Sequence, residues 1–201
     1  MKSVYDFIVK PIGERYANVK KINDKNLILN TKIENWKFVN RFAEVISTPL
    51  ALPTPVRIGD IVVLHQNVFR RFYNMKGKQA NSRSHFKDDL YFASVDQLYL
   101  YKRKKYWESL NDRCFIMPIK NNNTLSNQKE TNNIGILKIG NSSLEALEIN
   151  PGDMVSFKAG SEWEFNIDSE RLYCMKSNDI LLKHEYKENQ AEYNPRWAKS
   201  S

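Results

Sequence analysis

Three histidines, His65, His85 and His184, and two cysteines, Cys114 and Cys174, are the side chains here best suited to hold a metal or carry a nucleophilic step. Their spacing serves neither purpose. The cysteines lie 60 residues apart, outside any zinc or redox pattern, and no histidine has a ligand partner at useful spacing. There is no glycine-rich phosphate loop, no Gly-x-Ser-x-Gly and no nucleophile near a histidine in the sequence. The carboxylate pair Asp88-Asp89 stands at a strand entrance, where adjacent acids read as a solvated turn and not as an acid–base couple. No catalytic residue, metal or cofactor is expected, and the chain does not read as an enzyme.

A different chemistry is written in residues 65–89, HQNVFRRFYNMKGKQANSRSHFKDD. Here Phe69, Arg70, Arg71, Phe72, Tyr73, Lys76, Lys78, Arg83, Phe86 and Lys87 interleave cations with aromatic rings. Cations attract phosphates and rings stack on bases, so the stretch could grip single-stranded nucleic acid. It could equally be a solvated loop whose rings cover the domain or a neighbouring subunit. The whole chain carries a net charge of +8, which favours an acidic partner without choosing between nucleic acid and protein.

These residues must be positioned by strands. With 201 residues one or two domains are expected, and 41% hydrophobic content suffices for a core or two small ones. Apolar runs such as Ile61 to Leu64 are too short to span a bilayer, and MKSVYDFIVK has no secretory apolar region. A cytoplasmic protein with two buried, reduced thiols and no membrane partner is the expectation. Helical periodicity is weak. Alternating runs bounded by Gly, Pro, Asn and Asp predict strands at 5–12, 41–47, 60–65, 89–95 and 98–101. A second series follows at 113–119, 135–140, 153–158, 162–168, 171–176 and 179–183.

The two series repeat one another. DFIVKPI (6–12) matches RCFIMPI (113–119), and AEVIS (43–47) matches GILKI (135–139). IGDIVVL (58–64) matches PGDMVSF (151–157), and LYFASVDQLYL (90–100) matches LYCMKSNDILL (172–182). The offsets shrink from 107 to 82 because the first copy has the longer loops. Insertions of that kind are tolerated in loops and not in the strands that they join.

This order of motifs resembles the GroES family of co-chaperonins. INPGDMVSF and SERLYCMKSNDILL (169–182) match the family's last two motifs, LNDRCFIMPIK (110–120) the first, and IGILKIGN (134–141) the strand after its mobile loop. The resemblance covers 110–184 throughout, and 1–102 more loosely through YDFIVKPIG, RFAEVIS, VRIGDIVVL and YFASVDQLYL. Two such domains in one chain are similar to the double co-chaperonins of chloroplasts, and the elaborated loops to co-chaperonins that tailed phages encode. In that case the location would be the host cytoplasm.

The resemblance implies an all-β fold of two tandem GroES-like small β-barrels with long loops. The domains would be 1–102, with a long mobile loop at 13–41 and the basic insertion at 65–89, then 110–184, and a flexible tail at 185–201. It implies a homo-oligomeric dome that caps a GroEL-like chaperonin ring and assists folding. The loop would dock an apolar tripeptide on the ring's apical domains, and here the tripeptide is Leu27-Ile28-Leu29. The second loop, KNNNTLSNQKETNN (120–133), has only Leu125 and departs from the family at that point. Two other readings use the same barrels: a phage structural or assembly protein, and a nucleic-acid-binding protein that works through 65–89.

Overall fold

The computed structural model describes residues 2–16, 39–122, 129–185 and 191–199, with the backbone alone of 19–22, 25–28 and Ser200. The chain is all-β and divides into two compact units, Met1–Trp107 and Glu108–Ser201. No described helix is long and apolar enough to cross a membrane.

The first series of strands is β1 (Phe7–Pro11), β2 (Val19–Ile22), β3 (Lys25–Ile28), β4 (Phe42–Ser47), β5 (Ile61–Leu64), β6 (Arg71–Tyr73), β7 (Gln79–Asn81), β8 (His85–Lys87), β9 (Leu90–Ala93), β10 (Leu98–Arg103) and β11 (Tyr106–Ser109). Seven of them form one sheet in the order β11-β10-β5-β4-β1-β9-β8. In β4, Ala43, Val45 and Ser47 are buried while Glu44 faces water, the period-two pattern of a strand with one face on a core. β1, β5 and β10 lie inside the sheet and bury consecutive residues: Phe7-Ile8-Val9, Val62-Val63-Leu64 and Leu98 to Tyr101. The pairs β2-β3 and β6-β7 are separate two-stranded ribbons.

The second unit holds β12 (Arg113–Lys120), β13 (Glu130–Ile139), a short helix α1 (Ser142–Glu145), β14 (Met154–Phe157), β15 (Trp163–Ile167), β16 (Glu170–Lys176) and β17 (Ile180–His184). Its sheet runs β15-β16-β12-β13-β14-β17. Both faces of β12 are buried. Cys114 and Ile116 join Leu137, Leu144, Val155, Phe157 and Met175 on one side. On the other, Phe115 meets the edge of Phe165 at 5.6 Å. The Asn141 side chain caps α1 by accepting from the Leu144 N–H, and donates to Arg113 O and Ser177 Oγ. A buried amide is thereby satisfied and Leu144 is pinned in the core.

Strand for strand, β10-β5-β4-β1-β9-β8 and β17-β14-β13-β12-β16-β15 are the same order. The Gly-Asp turns sit at the same point in each. Gly59 and Gly152 have φ of 87° and 99°, which a side chain would resist. Asp60 Oδ2 accepts from the Arg57 N–H at 2.8 Å, and Asp153 Oδ2 from the Asn150 N–H at 2.7 Å. Gly59 N–H donates to Val45 O and Gly152 N–H to Leu137 O, both at 2.8 Å. Each carboxylate also meets a cation from the unit's last matching strand, Arg103 at 3.0 Å and Lys183 at 2.8 Å.

Two expectations are corrected. Neither large sheet closes into a barrel by hydrogen bonding: β8 and β11 end the first, β15 and β17 the second. β8 and β11 are short hairpin partners of β9 and β10, so they lengthen the sheet at its ends instead of joining them. The tail is not free over its described part. Lys120 N–H donates to Ala191 O and Tyr193 N–H to Pro118 O, both at 2.8 Å, Lys138 pairs with Glu192, and Ala198 is buried. Polar composition hid this, because backbone pairing to an edge needs no apolar side chain. Trp197, in the same tail, is exposed.

Burial, and next the neighbouring Cys174, push the Cys114 thiol up to about 12. Both thiols are buried, so a thiol reagent at mildly alkaline pH should label neither in the native protein. Labelling should follow global unfolding across a urea series. Fast labelling below the transition would mean that β12 and β16 open locally.

Asp153 supplies a pH test. Burial alone would raise its pKa, but hydrogen bonds from Lys183 and the Asn150 N–H hold it below the ordinary value. A carboxylate so depressed stabilises the fold above its unfolded pKa, about 3.9, and loses that contribution as pH falls through the lower folded value. The urea midpoint of the second unit should therefore drop below about pH 4, and drop less in Asp153→Asn.

Candidate functional site

The stem of the long loop in the first unit is built by local hydrogen bonds. Tyr16 and Val39 form an antiparallel bridge that closes the excursion of residues 17–38. Asn40 locks both legs: its N–H donates to Arg15 O at 2.9 Å, and its Nδ2 donates to Ile12 O at 2.7 Å and Glu14 O at 3.0 Å. Its Oδ1 accepts from the Phe42 N–H at 2.9 Å, which joins the stem to the start of β4.

The same stem grips the basic insertion. Arg15 forks, one Nη donating to Asn81 Oδ1 at 2.9 Å and the other to Phe69 O at 2.8 Å. Its guanidinium lies 5.0 Å over the Tyr91 ring. Burial pulls the Arg15 pKa below its ordinary range, with Tyr91 opposing and the Arg71 charge adding to the effect. Tyr16 Oη accepts from the Arg71 N–H at 2.6 Å, and the Arg71 guanidinium sits 5.4 Å over the Tyr16 ring. Between these elements is a cavity of about 460 Å³ whose charged lining is Lys10, Arg15 and Arg71 against Glu14, Glu44 and Asp89.

The insertion is shaped by its own turn. In β6-β7, Arg71 pairs with Asn81, Phe72 with Ala80 and Tyr73 with Gln79. Asn74 Oδ1 accepts from the N–H groups of Lys76 and Lys78, both at 3.0 Å, and Gly77 takes a φ of 70°. An Asn that bonds the backbone ahead of it and a Gly at positive φ make a tight reversal. Successive side chains alternate, so Phe72 lies on one face of the ribbon and Arg71 and Tyr73 on the other.

The residues expected at sites fall in different places. Leu27 and Ile28 lie in β3, opposite Lys20 and Val19, in a ribbon outside the seven-stranded sheet. Leu29 lies outside the described residues. Phe69, expected at a contact face, is instead core: it is fully buried with its ring edge-on to Tyr91 at 4.9 Å. The turn into β6 sends it inward while Arg70 and Arg71 are half-buried. Phe72 and Tyr73 are 39% and 47% exposed, and Lys76, Lys78 and Arg83 face water. Phe86 packs at 4.9 Å on Phe92 with Lys87 above it. Its strand, β8, belongs to the main sheet, so the insertion proper ends before His85.

The histidines are used locally. His65 Nδ1 accepts from the Asn67 N–H at 3.1 Å, and His85 Nε2 is 3.0 Å from Asp88 O. Asp88 itself has φ 48° in the turn between β8 and β9. Ser156 Oγ and His184 Nε2 meet at 2.6 Å across β14 and β17, a nucleophile–base contact that sequence spacing did not reveal. Among the described residues no carboxylate bonds the second ring nitrogen of His184, so the triad arrangement is not formed. No cluster of metal-ligating side chains occurs among the described residues. In the second unit Arg171 lies between Glu130 at 2.7 Å and Glu164 at 2.9 Å, and Tyr173 Oη donates to Glu130 at 2.8 Å. This network fastens the end of the 120–133 loop to β16. The chain matches no family model, and no curated protein is significantly similar to it.

Arg15→Ala should remove a side-chain link from the stem to the Phe69 carbonyl and destabilise the first unit by about 1–3 kcal/mol. Arg15→Lys should rescue it only in part, since one ammonium cannot reproduce the planar fork. Urea melts give the loss. Hydrogen exchange should rise within 69–82 and leave the second unit unchanged.

Proposed function

We propose that the chain is a non-enzymatic, co-chaperonin-like binding protein built from two GroES-like units. It docks the segment around Leu27-Ile28-Leu29 on the apical domains of a chaperonin ring, and works as a homo-oligomer that caps the ring while a client folds. The observation that carries this reading is the closed stem: the Tyr16–Val39 bridge and Asn40 hold both ends of a long excursion between β1 and β4. That is the point of the motif order at which the resemblance expects the chaperonin-contacting loop. The strand order shared by the two units, each with its Gly-Asp turn bonded alike, supports the family resemblance behind it.

The physics suits the task. Burial of an aliphatic side chain stabilises by about 1.5–3 kcal/mol, so three of them on one loop bind weakly once ordering is subtracted. Several copies acting together bind well and still release. The second unit has no comparable apolar island in 120–133, and in this reading it supports the assembly without contacting the ring.

The test is co-sedimentation of the full chain with a GroEL-type ring in the presence of ADP. The wild-type chain should be retained, and Ile28→Asp should abolish retention with little change in melting temperature. A variant that melts much lower yet still binds the ring would make the tripeptide part of a core and would remove the basis of the proposal.

A further inference from the structure

Four cations outside the insertion are held by carboxylates. Arg103 pairs with Asp60, Lys138 with Glu192, Arg171 with Glu130 and Glu164, and Lys183 with Asp153. Residues 65–89 contain six Lys and Arg and two Asp, yet none of the six forms an ion pair among the described residues. Arg70 and Arg71, as Arg15 does, each hold a buried Nε with no acceptor among the described residues.

Rings stand beside these charges. Phe72 and Tyr73 are adjacent and exposed on opposite faces of the β6-β7 ribbon, while Lys76 and Lys78 crown its turn. We propose that this ribbon, through Arg70, Arg71, Lys76 and Lys78 on phosphates and Phe72 and Tyr73 on bases, binds single-stranded nucleic acid. An acidic peptide would use the cations alone, whereas an unpaired strand offers anions and flat rings together. A duplex hides its ring faces in the stack and matches only the charges. The site lies on the insertion and not on the loop that carries Leu27 and Ile28, so it stands independently of the chaperonin reading.

The experiment is fluorescence anisotropy of the full chain with a labelled oligothymidine of about 20 nucleotides, over a salt series. Binding should weaken with salt with a log–log slope of about −0.7 for each phosphate neutralised, or about −3 for four cations. The double variant Lys76→Glu/Lys78→Glu should bind at least about tenfold more weakly, and Phe72→Ala and Tyr73→Ala each about tenfold more weakly, with melting temperatures unchanged. A control with the same charge change elsewhere, Lys2→Glu/Lys158→Glu, should stay within about twofold. The proposal is overturned by no binding at low salt, by equal weakening in the control, by tighter binding of a duplex of the same length, or by equal affinity for polyglutamate, which would point to an acidic protein. Ring co-sedimentation of the Lys76→Glu/Lys78→Glu variant keeps a failure here separate from a failure of the chaperonin reading.

Discussion

One carboxylate, used twice, sets the frame of this molecule. Asp60 and Asp153 each turn back to accept a main-chain N–H three residues earlier, and each meets a cation from the unit's last matching strand. The glycine before each donates to the strand on the other side, at Val45 or Leu137. Three segments are therefore tied at one point just where the chain enters β5 or β14. Register in a sheet is a matter of single residues, because a slip of one reverses every side chain. With the entry held, Val62-Val63-Leu64 and Met154-Val155 are committed to the core.

The two units then diverge in how they fasten their loops. Arg171 lies between two carboxylates, and although burial works against it, the bonds from Glu130 and Glu164 raise its pKa above the ordinary range. Arg15 has a similar mechanical task but only neutral acceptors, Asn81 Oδ1 and Phe69 O, so burial prevails and its pKa falls. The second unit thus neutralises its stem internally. The first has no ion pair on the cations of 65–89 among the described residues, beside an exposed pair of rings, so the two halves of a repeat present different surfaces over one framework.

Much of that framework was legible in the sequence because alternation and turn residues are local signals. The all-β class, the paired motifs and the Gly-Asp turns could be read directly, since a positive φ before an alternating run calls for Gly and an acid that bonds its own backbone. What escaped depends on partners distant in the chain. Nothing in RRFYN tells that Phe69 turns inward to Tyr91 while Phe72 stays out. The HFK of β8 looked like the end of an insertion, yet it takes the edge position that Trp163–Ile167 holds in the second unit. Main-chain pairing at Ala191 and Tyr193 leaves no compositional trace, and the contact of Ser156 with His184 requires the register of β14 on β17. The closed barrel was the overreach: strand count and spacing do not say whether the last strand meets the first.

The bridge between Tyr16 and Val39 has a bearing on how such a chain can change over generations. With the ends of the excursion clipped together, β1 and β4 are tied to each other at the stem itself. Doubling its length would raise the closure cost by only about 0.6 kcal/mol. A lineage facing a new partner can then change the length of this stretch at little entropic cost while the bridge and Asn40 go on holding the two legs together.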